Sequence, residues 1–118
     1  MKKAILCLTI AIASSWADAA SFDCNKAATY AEKAICHDAI LGNLDEALST
    51  NYRNMLTGDL GDNGKDLKQS QREWIQKRNR CTSVQCLTDA YRSRVDEICD
   101  IPVVRGIHPD CETSDDIK

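Results

Sequence analysis

Aromatic residues are scarce in this chain, with two Trp, three Tyr and one Phe among 118 residues, and proline occurs only twice. So few large rings leave a small core, and a small domain of this kind gains from covalent staples. Strand-type alternation is missing from residues 20–100, which excludes a sheet-based fold. Long apolar runs are missing as well. The longest, Ala4 to Ala13, holds about ten residues, far short of the ~20 that span a bilayer. A basic excess is also absent, since 15 Lys and Arg face 18 Asp and Glu. Phosphate backbones demand a basic face, so nucleic acid is excluded as a partner.

What is present begins with an export signal. Met1-Lys2-Lys3 is positive, the apolar run follows, and Ala17-Asp18-Ala19 offers the small-x-small pattern of a cleavage site, which places the cut after Ala19. Cys7 lies near the start of the run, whereas a lipid-bearing cysteine belongs at its end. Removing 19 of 118 residues leaves 99, enough for one domain and no second core. Cys7 leaves with the signal, and six cysteines remain: Cys24, Cys36, Cys81, Cys86, Cys99 and Cys111. An even set in an exported chain reads as a disulfide framework, and the expected location is periplasmic or secreted. The mature charge is about minus 4, from 13 bases and 17 acids, which is compatible with a basic protein partner.

Along the mature chain, Thr29 and Glu32 form a capping box before a short helix ending near Cys36. Asp38 caps the next helix, where Leu41, Leu44, Leu48, Tyr52 and Met55 share one stripe. Gly58, Gly61 and Gly64, mixed with Asp59, Asp62 and Asn63, mark a turn. A third helix runs from about Lys65 to Arg80 with Leu67, Gln71, Trp74, Ile75 and Arg78 on one side. Thr82 with Gln85 makes a second capping pattern, ahead of a stripe of Leu87, Ala90, Tyr91, Arg94, Val95 and Ile98 that Pro102 ends. The expected architecture is all-α, a small disulfide-stapled bundle of three or four helices built from helical hairpins. It spans residues 20–100, with an irregular tail over 101–118.

Sequence alone does not choose among the pairings that six cysteines allow, though local placement favours Cys81 with Cys86 first and makes two further pairs feasible. Cys81 and Cys86 flank a helix-helix turn, Cys24 and Cys36 lie at opposite ends of the first helix, and the tail can return Cys111 to Cys99. A metal site is disfavoured, because neither Cys36-His37 nor Cys81-x4-Cys86 has the usual zinc spacing. The loop from Asp59 matches calcium-loop positions at Asn63 and Gly64 but ends on Ser70, where a bidentate acid is required. No nucleophile motif accompanies His37 or His108. Asp45-Glu46 and Asp96-Glu97 are helix neighbours that point apart, so neither is the facing carboxyl pair of a glycosidase. No enzyme activity, metal or cofactor is expected.

Gln71 and Arg78 border the apolar stripe of Leu67 and Trp74, and a charge there must be paired or solvated. The expected partner of Arg78 is Asp45 on the neighbouring helix, a structural ion pair. The alternative is a partner-binding hot spot built on Trp74 and Arg78.

The residues that carry a resemblance are Phe22-Asp23-Cys24, Glu32-Lys33-Ala34-Ile35-Cys36, Leu44-Asp45, Tyr52, Gln71-Arg72-Glu73-Trp74-Ile75, Arg78, Cys81, Cys86-Leu87, Tyr91, Arg94 and Ile98. Over residues 22–98 the chain resembles the family named after the LprI lysozyme inhibitor, small exported bacterial proteins with a cysteine-bearing helical domain. The resemblance implies an exported protein that binds lysozyme and blocks its sugar-binding cleft. It assigns no residue to the contact. Cys99 and Cys111 depart from the family pattern, adding a third bridge that stiffens the domain or presents Arg105-Gly106-Ile107-His108 to a partner. The rival function is an envelope structural or assembly factor, or an immunity protein against a delivered toxin.

Overall fold

Four helices, α1 (Tyr30–His37), α2 (Ala39–Met55), α3 (Lys65–Arg78) and α4 (Val84–Cys99), form the computed structural model, which describes residues 20–118. The export signal read at 1–19 and Cys7 lie outside the described residues. No strand occurs among the described residues, and one isolated bridge joins Asp59 to Arg105. The all-α bundle expected from periodicity is the observed fold.

Caps set the helix starts. At α1 the Thr29 hydroxyl accepts from the Glu32 amide at 3.1 Å and Glu32 accepts from the Thr29 amide at 3.3 Å. Asp38 ends α1 and starts α2, taking the Leu41 amide at 2.9 Å. Gly64 precedes α3 at φ 75° and offers no side chain, so Asp62 substitutes for it. Its two oxygens accept from the Gly64 and Asp66 amides, each at 2.8 Å. At α4 the cap is Ser83, whose hydroxyl accepts from the Cys86 amide at 3.1 Å, and not Thr82 as the Thr-x-x-Gln pattern suggested.

Packing of α2 on α4, with α1 laid along α2, builds the core. Leu41, Leu44, Met55, Leu87, Tyr91, Val95 and Ile98 are fully buried, and each such side chain contributes about 1.5–3 kcal/mol by leaving water. Helix α3 approaches the others less closely and docks through Leu67, Trp74 and Arg78. Three disulfides join Cys24 to Cys36, Cys81 to Cys86 and Cys99 to Cys111.

The tail is irregular apart from one 3-10 turn at Ser114–Asp116, and it is tied down. Buried Asn51 accepts from the Glu112 amide at 3.0 Å and donates to the Glu112 carbonyl at 2.8 Å. Asp96 takes both the amide and the hydroxyl of Ser114 at 2.7 Å, and Ile117 joins the core.

Candidate functional site

The residues singled out in the sequence for their place beside the apolar stripe converge between α2, α3 and α4. Asp45 is 4% exposed and Arg78 8% exposed, so both charges are inside the domain. They do not form the direct pair expected of them. The Tyr91 hydroxyl stands between, donating to Asp45 Oδ1 at 2.8 Å and accepting from Arg78 Nη1 at 3.1 Å. A phenol can do both at once, which a second charge cannot. The other Asp45 oxygen accepts from the Ser21 amide, and the remaining Arg78 nitrogens are held by Asn79 Oδ1 at 3.1 and 2.9 Å.

Burial, then the Asp45 charge, pushes the Tyr91 hydroxyl well above the ordinary phenol range, with Arg78 opposing the shift. The group therefore keeps its proton, and the relay works as a fixed hydrogen-bonded tie. Trp74 completes it, edge-on to Tyr91 at 4.9 Å between ring centroids and with the Arg78 guanidinium 5.9 Å from its ring. Trp74 is 9% exposed, so the residue proposed as a partner contact is mostly committed to the core. A second tie that patterning alone did not reveal links α4 to α3. Arg94 donates to Gln71 at 3.1 Å and Ser70 at 2.9 Å, and pairs with Glu97 at 3.0 Å.

Above the Asp45–Tyr91–Arg78 relay lies a groove of about 290 Å³. Leu48, Ser49 and Tyr52 of α2 form one wall, and Lys68, Gln71, Arg72 and Ile75 of α3 form the other. Its rim is cationic because α3 is. Residues 65–80 hold six bases and two acids, whereas the rest of the described chain holds seven bases and 15 acids. Net charge concealed this division, and a count by segment would have found it. Among the described residues no group of three His, Cys, Asp or Glu side chains is placed to hold a metal ion.

Of the tail residues singled out, both Arg105 and His108 are exposed, Arg105 at the Asp59 bridge and His108 bonded back to its own loop. Its Nε2 lies 3.0 Å from the Ile101 carbonyl oxygen and its Nδ1 2.8 Å from that of Pro109.

The model of the family described as lysozyme inhibitor LprI matches residues 24–98. The chain belongs to the LprI family. That match takes in α1 to α4 nearly whole, including both polar ties, and stops before the tail. Among curated proteins it is similar to the lipoprotein LprI of Mycobacterium bovis and that of Mycobacterium tuberculosis. Each is 33% identical over 79 residues, covering 64% of this chain. The aligned stretch spans 39% of those relatives' own length. No solved structure matches. The three disulfides of the chain fit an extracytoplasmic location. Among the described residues no helix is long and apolar enough to cross a membrane.

Proposed function

We propose that this protein is a periplasmic or secreted lysozyme-inhibitor-like binding protein that covers a lysozyme's cleft and catalyses nothing itself. The observation that carries this reading is the family match across the helical core, residues 24–98. Two features of the molecule support it. The ionised side chains of the interior are satisfied by hydrogen bonds within the domain, leaving no buried side-chain nitrogen or oxygen unpartnered among the described residues, so binding falls to the surface. Outside α3 that surface is strongly acidic, suiting a basic lysozyme that approaches by electrostatic steering.

The test is a titration of purified mature protein into animal and bacterial lysozymes, followed by cell-wall lysis, with a reduced and unfolded sample as control. Dose-dependent inhibition near one-to-one is expected. No inhibition of any lysozyme would sink the reading and turn attention to an envelope or immunity role.

A further inference from the structure

The segment between Cys99 and Cys111 lies outside the family match and is held more tightly than an exposed loop needs to be. The disulfide closes its base with the two Cα atoms 5.6 Å apart. One leg is pinned to the α2–α3 turn, where the Val104 amide donates to the Asp59 carbonyl at 2.7 Å. Both legs pack on Gly58, where a Cβ would lie 3.1 Å from Pro109 Cγ and 3.2 Å from Val103 Cγ1, so the turn admits the loop because that residue has no side chain. The exposed His108 ring ties the two legs together, its Nε2 lying 3.0 Å from the Ile101 carbonyl oxygen.

What this brace presents is unusual for the molecule. Gly106 turns the chain at φ 83°, and Ile107 beside it is 94% exposed. Among the described residues the Arg105 side chain makes no hydrogen bond and no ion pair, although most of the other arginines do. A single exposed aliphatic side chain is ordinary on a surface. Here it shares a fixed tip with an uncommitted guanidinium, and the ordering entropy is lost before binding instead of during it.

We propose that residues 103–108 are a preorganised plug that enters the partner's cleft, Arg105 meeting the carboxylates on the cleft floor and Ile107 filling an apolar subsite beside them. The partner chemistry is that of a glycosidase with paired carboxyls, which stand roughly 5–9.5 Å apart across the sugar-binding groove. A guanidinium can bind such a carboxylate with two parallel hydrogen bonds. The acidic remainder of the domain then faces the basic rim of the enzyme, so the two charge patterns are complementary at both ranges. This inference rests on the lysozyme-inhibitor reading and adds the contact that the family match does not supply.

The experiment measures inhibition and binding of hen egg-white lysozyme, with a bacterial lysozyme in parallel. It uses mature wild type, Arg105→Glu, Ile107→Asp and, as a control of equal charge change, Lys26→Glu on the opposite end of the chain. We expect each loop variant to weaken binding by about tenfold or more, as for a central interface anchor, with the melting temperature unchanged because neither side chain supports the core. Lys26→Glu should stay within about twofold, as rim charges do. Saturating chitotriose, which fills the cleft, should compete with the wild type. Wild-type inhibition with full retention in both loop variants, or binding indifferent to chitotriose, would overturn the plug and leave the inhibitor reading standing. A wild type that neither binds nor inhibits either enzyme would overturn both.

Discussion

The Tyr91 hydroxyl donates to Asp45 Oδ1 at 2.8 Å, so a residue of α4 holds a carboxylate of α2 in the interior of the domain. Replacing Tyr91 by Phe keeps the ring against Trp74 but strips a partner from both Asp45 and Arg78. Loss of one partner to a buried charge costs about 1–3 kcal/mol, so chemical denaturation of the Tyr91→Phe variant should show a destabilisation of that size.

The same hydroxyl makes stability depend on alkaline pH. Its pKa is raised in the folded state, so folded and unfolded forms both keep the proton at neutrality. Above about pH 10 the unfolded chain releases it first, and stability falls as pH rises. Melting temperature recorded from pH 8 to pH 11 should decline for wild type and decline less for Tyr91→Phe. Parallel curves would remove Tyr91 as the cause.

Much of this arrangement was legible before any coordinates. Thr29 and Asp38 announced two helix starts, the leucine stripe of α2 predicted its buried face, and Gln71 and Arg78 stood out as polar groups beside an apolar stripe. The mediator did not. Tyr91 occurs at core spacing and reads as a hydrophobic ring, so its hydroxyl is invisible to a periodicity argument. Thr82 and Ser83 are adjacent hydroxyls competing for one cap, and the sequence favours the one with Gln85 three residues on. Asn51 pairs with the backbone of Glu112, a group every residue carries, so no side-chain pattern marks the partner.

That Asn51 clamp predicts a local effect. Asn51→Leu removes both hydrogen bonds to Glu112 while leaving the disulfide above it intact. Amide exchange at Glu112 and Thr113 should accelerate, with a global loss of about 1–3 kcal/mol. Unchanged exchange there would mean that the disulfide, the Asp96–Ser114 bonds and Ile117 hold the tail without it.

Gly64→Ala should be harmful for two reasons that act together. Its φ of 75° is strained for any residue with a Cβ, and that Cβ would lie 2.6 Å from Leu56 Cδ2. A cost of about 1–3 kcal/mol is expected from the backbone alone, measurable by thermal melting.

Single removal of each disulfide by paired Cys→Ser substitution should rank by loop length. Cys24–Cys36 and Cys99–Cys111 each span a separation of 12, and Cys81–Cys86 a separation of 5. Chain entropy assigns about 3 kcal/mol to the longer loops and about 2 kcal/mol to the shorter. Equal losses for all three would point to native-state contacts in place of chain entropy.

The order of those bridges has a further consequence. Counting the six cysteines from Cys24 onward, first joins second, third joins fourth and fifth joins sixth. In a chain threaded N-terminus first through a narrow pore, each thiol's rightful partner is the next to arrive. Oxidation in order of arrival then yields the native set directly, and the chain can mature with little help from enzymes that reshuffle mispaired bonds.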